Sequence, residues 1–441
     1  MPEAAREAKF RSMRETAHDI FRQAMANASI ASAFVRHVSC DRGVLRVRED
    51  LFDLHSYPAV LVISLGKAAH AMVEVLAGQV GASLHGIVAT SVAPGTQVRG
   101  FQYFHGGHPT PNAESIRAAS AMLKALGAQP ASSLVIFLLS GGGSSIVEKP
   151  IDDEISLSDL IATYQALVHS GSPIAEINAV RKHLSAVKGG RLAQAAFPAQ
   201  QVSLLVSDVP DGSPDALASG PTMPDSTTVE DCYSIAADYE LLPQFPQSIR
   251  ELFERHALEE TPKSDDPAFQ RARWWTVLSN QTAIEEASAA AEQAGFAVHV
   301  DNSCDDWNYE RAADYLLSRV RELRKLASRV CLISGGEVTV KVGKGGVGGR
   351  NQQFALACAT KIAGEDITVL SAGTDGVDGN SRAAGAVVDG STLERARLRD
   401  LDAQGALSRF DAYPLLSALG DTIEIGPTGN NLRDLRILLA Y

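Results

Sequence analysis

The chain repeats one local pattern, in which a short apolar run is followed by a loop of small and turn-forming residues and then by a helical pattern. Apolar runs buried on both faces, alternating with helices, indicate a mainly parallel α/β sheet covered by helices. Ligands of such sheets bind beyond the carboxyl ends of the strands, so we expect the loops to form the functional site. The stretches with this pattern are VLVISLGKAAHAM, LVIFLLSGGGSSIV, VSLLVSDVPDGSP, RVCLISGGEVTV and ITVLSAGTDGVDG.

Chain length and a polar, proline-containing stretch predict two α/β domains. The 441 residues, 45% of them hydrophobic, are enough for more than one core. A polar stretch with prolines at 256–273 precedes a new strand and helix pattern that begins WWTVLSN. We therefore predict an N-terminal domain of residues 1–265 and a C-terminal domain of residues 266–441. Near residues 4–35, helical spacing predicts an amphipathic helix packed on a core through Phe10, Met13, Ala17, Ile20, Phe21 and Ala24.

Charge and cysteine usage exclude several classes of partner. A formal net charge of −12 disfavours nonspecific binding to nucleic acid or to an anionic membrane. The five cysteines include no CxxC pair, which predicts neither a zinc site nor a disulfide framework and favours the reducing cytoplasm. The first residues mix acids and bases and contain no apolar run that resembles a signal peptide, and nowhere are 18 consecutive residues apolar, so we expect a cytoplasmic protein. Homo-oligomerisation is left open.

Two cations stand at predicted helix starts. Lys67 follows an apolar strand and one glycine, and Arg350 ends the glycine-rich run of residues 343–349. A cation is unfavourable at a helix N-terminus unless an anion joins it, and arginine binds carboxylate and phosphate oxygens with a forked pair of donors. The two residues together predict one anionic ligand, although Lys67 could also be a solvated loop lysine.

A second glycine loop follows the strand LVIFLL. Its amides and hydroxyls suit phosphate groups, although glycine turns between strand and helix are also common. The loop is not a Walker A sequence. Gly343, Gly345 and Gly348 match GxGxxG, but no acid ends the second strand as a nicotinamide site requires, so that match carries little weight. The candidate phosphate-binding residues of the second loop are Ser140, Gly141, Gly142, Gly143, Ser144 and Ser145.

Acidic residues follow two further strands. SDVPDGSPD contains Asp208, Asp211 and Asp215, and GTDGVDGNSRAAG contains Asp375 and Asp378. Magnesium bound to nucleotide phosphates needs only one or two protein carboxylates, so we name Asp208 and Asp375 as metal candidates. Aspartate beside glycine and proline is also ordinary turn chemistry.

Two more segments carry candidate groups whose roles the sequence leaves open. NAVRKHLSAVKGGRLA, which includes Arg181, is either a solvated basic face or an attractor for a carboxylate substrate. In GGHPTPNAES, Asn112 is a predicted helix cap, and His108 either faces a ligand or fills a turn.

Taken in order, several motifs resemble the glycerate 2-kinase family with a C-terminal MOFRL-type domain, over residues 10–435. Some members of that family are labelled hydroxypyruvate reductase, which makes an NAD(P)H-dependent reductase the alternative function. A noncatalytic module that binds sugar acids or phosphates is a third hypothesis. The motifs are SLGKAAHAM, GGHPTPNAES, LLSGGGSSIVEKP, NAVRKHLSAVKGGRLA, SDVPDGSPDALASGPTMPDSTT, LISGGEVTV, GGRNQQFALA and SAGTDGVDG.

The resemblance implies ATP-dependent phosphorylation of D-glycerate to 2-phosphoglycerate with Mg²⁺. It implies a larger Rossmann-like N-terminal domain, a smaller α/β C-terminal domain and an active-site cleft between them. The family's important lysine and arginine match Lys67 and Arg350. We take both as catalytic and substrate-binding residues, with Asn351 and Arg181 as further substrate-binding candidates.

Overall fold

The computed structural model describes residues 3–81, 84–210, 212–341 and 345–441. Two compact units divide the chain: Ile30–Val277 forms one, and Met1–Ser29 with Leu278–Tyr441 forms the other. Gly343, which belongs to the GxGxxG match, and Asp211 lie outside the described residues. Within the described part, no helix is both long enough and apolar enough to cross a membrane.

The helices and strands alternate along most of the chain. The helices are α1 (Glu3–Asn27), α2 (Ile30–His37), α3 (Ala69–Val80), α4 (Ala113–Gly127), α5 (Gly143–Ile146), α6 (Leu157–His169), α7 (Ile174–His183), α8 (Arg191–Ala196), α9 (Val229–Asp238), α10 (Gln247–Glu254), α11 (Asn280–Gln293), α12 (Tyr309–Arg324), α13 (Arg350–Lys361), α14 (Thr392–Arg397), α15 (Ala403–Ser408) and α16 (Ala412–Leu419). The strands are β1 (Val38–Asp41), β2 (Val44–Val47), β3 (Asp50–Asp53), β4 (Val60–Leu65), β5 (His85–Thr90), β6 (Phe101–His105), β7 (Leu134–Ser140), β8 (Gln200–Val206), β9 (Ala272–Leu278), β10 (Ala297–Val300), β11 (Val330–Gly335), β12 (Ile367–Gly373), β13 (Gly385–Asp389), β14 (Thr422–Ile423) and β15 (Asp434–Ala440). Short 3-10 helices occur at Leu54–Ser56, Pro214–Ser219, Leu242–Gln244 and Pro267–Arg271.

The unit of residues 30–277 contains the predicted parallel sheet. Its six strands lie in the order β6-β5-β4-β7-β8-β9, and the pairs from β6 to β8 are parallel. Strands β7 and β8 are almost wholly buried, as expected for apolar runs covered by helices on both faces. The carboxyl ends of β4, β7 and β8 therefore bring three of the predicted loops to one edge of the sheet. A separate antiparallel sheet is formed by β1, β2 and β3.

The sheet of the other unit is mixed. Its order is β10-β11-β15-β12-β13-β14, and of these pairs only β10 with β11 is parallel. This differs from the mainly parallel pairing predicted for the whole chain. The last strand, β15, enters between β11 and β12 and runs opposite to both, which a strand-and-helix pattern read in chain order does not reveal.

Helix α1 confirms the predicted amphipathic helix, with its end at Asn27. Its buried side chains pack with those of α11 and of strands β11, β12 and β15. The predicted domains, 1–265 and 266–441, place this helix with the residues that follow it, whereas its contacts join it to residues 278–441. Helical spacing shows that one face is buried but not which core it packs on. The buried residues of α1 are Phe10, Ala17, Ile20, Phe21 and Ala24.

Candidate active site

Close packing of two strand ends fixes Lys67 beside the loop of residues 140–145. The Lys67 amide donates to the Gly141 carbonyl at 2.9 Å, and the Ala68 amide donates to Ser140 Oγ at 3.1 Å. Gly66 has φ of +117°, and a Cβ there would overlap Ser140. Glycine is therefore required at residue 66 by both its conformation and the lack of space.

The same loop is bordered by Asp208 and His108. A Cβ on Gly141 would overlap the Asp208 carboxylate, so that carboxylate lies against the loop backbone. Gly142 has φ of +79°, and a Cβ there would lie 2.9 Å from His108 Cδ2 and 3.2 Å from Lys67 Cγ. Partial burial, together with the neighbouring Lys67 ammonium, lowers the pKa of His108. The structure thus brings Lys67, Asp208 and His108 to one glycine loop.

Lys67 lies just before helix α3, as predicted. Its side chain is exposed, and within the described residues no ion pair neutralises it. An unneutralised cation before a helix start is the arrangement that favours an incoming anion.

Only part of the predicted phosphate loop faces solvent. Gly142 and Ser144 are partly exposed, whereas the other four residues from Ser140 to Ser145 are buried. Ser144 Oγ lies 2.9 Å from Ser219 Oγ and accepts from Arg181 Nη2 at 3.3 Å. Ser219 has φ of +61°, a left-handed backbone conformation that is unfavourable for serine. Arg181 is thereby joined to the loop.

The rest of the basic segment is not a solvated face. Lys182, His183 and Lys188 are buried. Lys182 pairs with Asp225 at 3.0 Å, and His183 Nε2 lies 2.9 Å from Glu260 Oε1. A buried charge requires a partner, and each of these side chains has one within the fold. They therefore have a structural role in the interior.

In the other unit, Arg350 is the first residue of α13, as predicted, but its charge is already compensated. Its Nε donates to Asp434 Oδ2 at 2.6 Å and its Nη2 to Asp434 Oδ1 at 3.1 Å. The same Nη2 lies 2.7 Å from Glu337 Oε1. Burial disfavours the charged guanidinium, but the hydrogen bonds to Asp434 and the negative charges of Asp434, Glu337 and Asp378 together outweigh it and raise the pKa of Arg350. Burial also raises the pKa of Glu337.

A cavity of about 710 Å³ in this unit contains Arg350 in its wall. Asp375 also lines it, and Asp375 Oδ1 accepts from the Val377 amide at 3.1 Å, a turn contact. Asn351 is buried instead: its Oδ1 accepts from Ser371 Oγ at 2.6 Å, and its Nδ2 donates to Asp378 at 3.4 Å. The described residues that line the cavity are Asp306, Glu337, Val338, Thr339, Val340, Gly346, Gly348, Gly349, Arg350, Gln353, Asp375, Val377, Asp378, Gly379, Asn380, Phe410 and Ala412.

Asp378 caps helix α13. Its carboxylate accepts from the Asn351 amide at 3.1 Å and from the Gln352 amide at 2.9 Å. Burial of this side chain raises its pKa to about 6, against the opposing effect of these hydrogen bonds. The capped helix start holds Arg350 at the cavity wall.

Sequence reasoning missed Glu337 and Asp434. Glu337 had a usable signal, because it ends an SGGE loop directly after a buried strand. Asp434 had none, since it begins an ordinary apolar strand at the chain end. Among the described residues, no three His, Cys, Asp or Glu side chains form a group that could hold a metal ion. The candidates Asp208 and Asp375 belong to different units.

Comparison with known proteins gives the family. Residues 16–254 match the Domain of unknown function (DUF4147), and residues 330–434 match the MOFRL family. The chain is 36% identical to the D-glycerate 2-kinase of Thermotoga maritima, over 86% of this chain and 90% of that protein. The chain belongs to the glycerate 2-kinase family.

Two further relatives match over most of their length, and one solved structure matches in fold. The glycerate 2-kinase of Pyrococcus horikoshii is 35% identical over 86% of this chain and 87% of its own. A protein of Agrobacterium vitis named putative hydroxypyruvate reductase is 37% identical over 86% of each chain. The crystal structure of a Thermotoga maritima glycerate kinase matches with a TM-score of 0.86 and 32% identity, covering 98% of this chain and all of that one. Kinase activity requires a nucleotide and, in this family, a small-molecule acceptor.

We predict that Gly141→Ala lowers glycerate-dependent ADP formation about tenfold or more, since the added methyl must displace Asp208 or the loop. The matched control is Gly78→Ala in α3, where a Cβ meets no neighbour within 4 Å. Both variants are compared by turnover and by thermal melting. Equal turnover in the two would contradict the proposed importance of the contact between Asp208 and the loop.

We predict that Asp378→Asn changes how stability depends on pH. Burial raises the pKa of Asp378 from its ordinary value of 3.8 to about 6 in the folded chain, so the folded state binds this proton more tightly than the unfolded state does. Its contribution to stability is therefore present below about pH 4 and is lost as the pH rises through about 6, by roughly 1–3 kcal/mol. The difference in free energy of unfolding, wild type minus variant, should fall between pH 4 and pH 7 in urea titrations. A difference that grows with pH would refute the raised pKa.

Proposed function

We propose that this protein transfers the γ-phosphoryl group of ATP to the 2-hydroxyl of D-glycerate and forms 2-phosphoglycerate. The observation that carries the proposal is the 36% and 35% sequence identity of this chain to two proteins named glycerate 2-kinase, over most of the length of each. The site chemistry agrees, because phosphoryl transfer depends on positioning and on cations directed at the transferring group.

The loop of residues 140–145 is assigned to the nucleotide phosphates. Gly142 and Ser144 are its accessible positions, and Lys67 stands beside them without a carboxylate partner in the described part of the chain. We assign Lys67 to the charge on the transferring phosphoryl group. Because Gly142 carries no side chain, an oxygen of the ligand can approach its backbone closely.

Arg350 is assigned to an anionic group of the ligand, with Glu337 as the contact that the ligand replaces. Asp434 is buried and binds the guanidinium through two hydrogen bonds, so it keeps the arginine in place. Glu337 makes a single contact and lines the cavity, and burial already disfavours its charged form. A ligand carboxylate or phosphate can take over that contact at low cost.

Mg²⁺ is the metal that we assign to the reaction, and the donor set fits it. Nucleotide-bound Mg²⁺ takes most of its ligands from phosphates and water and needs only one or two protein carboxylates. Asp208, which lies against the phosphate loop, and Asp375, which lines the cavity in the other unit, are the candidates to hold it. When bound, the ion would neutralise charge on the phosphate oxygens.

A coupled assay tests the activity. We expect ADP formation that requires both ATP and D-glycerate and is lost on adding a chelator of Mg²⁺. NMR of the product should show the phosphoryl group on the 2-oxygen. Oxidation of NADH by hydroxypyruvate without ADP formation would support the reductase alternative, and ligand binding without turnover would support a noncatalytic module.

We predict that Lys67→Ala and Arg350→Ala each lower turnover about a hundredfold or more, as loss of one charge-stabilising donor does in other enzymes. Lys124→Ala, an exposed lysine in the last turn of α4, is the matched control and should keep full turnover. Arg350→Ala also leaves the buried Asp434 carboxylate without its arginine partner and should therefore lower the melting temperature. Turnover of this variant is measured well below its melting temperature. Near-normal rates in both variants would reject the assigned roles.

A further inference from the structure

A buried ionic cluster lies in the unit of residues 30–277, behind the phosphate loop. Lys188 is 1% exposed and forms an ion pair with Glu148, which is fully buried. Glu148 also accepts from Tyr164 Oη at 2.8 Å and from Ser185 Oγ at 2.6 Å. Both carboxylate oxygens of Glu148 are thus hydrogen-bonded, so this cluster is rigid and holds the Tyr164 ring by its hydroxyl.

Arg181 rests on the other end of this cluster. Its guanidinium carbon lies 4.5 Å from the centroid of the Tyr164 ring, within the range of a cation–π contact. Its Nη2 reaches Ser144 in the phosphate loop. Ser144 is one of the two loop residues that a ligand can reach.

The charge of Arg181 has no compensating carboxylate. Within the described residues Arg181 takes part in no ion pair, and its Nε is a buried atom without a hydrogen-bond partner. Every buried cation near it in sequence, by contrast, is paired: Lys182 with Asp225 and Lys188 with Glu148. Among the described residues, the half-buried Arg181 is held by the Tyr164 side chain and the Ser144 hydroxyl, so its guanidinium retains donors for an anion.

We propose that Glu148, Tyr164 and Lys188 are positioning residues, which hold the Arg181 guanidinium beside Ser144 for an anionic group of the substrates. The group is either a nucleotide phosphate or the glycerate carboxylate, which share the chemistry that a guanidinium binds. The proposal rests on the proposed function. Preorganisation is the physical advantage, because a long side chain already fixed in its binding geometry loses less entropy when the ligand arrives.

A double-mutant cycle tests the proposal by steady-state kinetics. Arg181→Met should raise the KM for one of the two substrates about tenfold or more, with a smaller change in kcat, because it removes one charge-assisted contact. Tyr164→Leu should raise the same KM. The double variant, Tyr164→Leu with Arg181→Met, should have a KM no higher than that of Arg181→Met alone. The proposal would be overturned if the two substitutions raised KM by factors that multiply in the double variant, or if Tyr164→Leu had a normal KM. A raised KM for ATP identifies the phosphate as the ligand group, and a raised KM for D-glycerate identifies the carboxylate.

A more conservative substitution at residue 164 keeps the test valid if Tyr164→Leu misfolds. Tyr164→Phe keeps the ring under Arg181 and removes the hydroxyl that donates to Glu148, so the same KM should rise about two- to fivefold. In the Arg181→Met background, Tyr164→Phe should not raise that KM further. Multiplying effects in this second cycle would likewise overturn the proposal. Tyr233→Leu, which removes a ring from the same unit beside Phe253, is the matched control and should leave both KM values unchanged.

Calorimetric binding separates this proposal from the proposed function. If the wild type forms no glycerate-dependent ADP, the kinase assignment fails, while the dissociation constants for ATP and for D-glycerate still report on Arg181. We expect one of the two constants to weaken about tenfold in both Arg181→Met and Tyr164→Leu. Unchanged constants in both variants would reject the positioning role whatever the reaction.

Discussion

The backbone contact between Gly66 and Ser140 is the constraint on which the site in residues 30–277 depends. It leaves no room for a side chain at residue 66, and it lets the Lys67 amide bond to the Gly141 carbonyl. The next residue of the loop, Gly141, lies against the Asp208 carboxylate from the neighbouring strand end. Parallel pairing of β4 with β7 and of β7 with β8 aligns these ends, so a lysine, an open backbone and a carboxylate meet without any of them being adjacent in sequence.

The three cations assigned to ligand binding differ in how their charge is compensated. Lys67 is exposed, Arg181 rests on a tyrosine ring, and Arg350 is held by two carboxylates. Full compensation keeps Arg350 fixed but means that a ligand must compete with Glu337. Partial burial of the uncompensated Arg181 charge costs desolvation energy in the free protein. In the proposed role, the bound anion would offset that cost. Binding energy is thus distributed unequally among residues that look alike in the sequence.

Much of the fold followed from local patterns, and particular residues show where such patterns stop. The apolar runs predicted the strands β4, β7, β8, β11 and β12, and helical spacing predicted the buried face of α1. The insertion of β15 between β11 and β12 was not predictable in this way, because strand order here depends on contacts between residues 61 to 110 positions apart. For the same reason the core on which α1 packs became known only from the structure.

The sequence by itself determined the family, the glycine loops and the cations at helix starts, since each of these is a local order of residue types. The tertiary structure decided which of those charges are already neutralised. Asp434 and Glu337 pair with Arg350, and Glu148 pairs with Lys188, across sequence separations that no spacing rule connects. Charge compensation acts through space at distances of a few ångströms, so only the folded chain shows which cations remain available to a ligand.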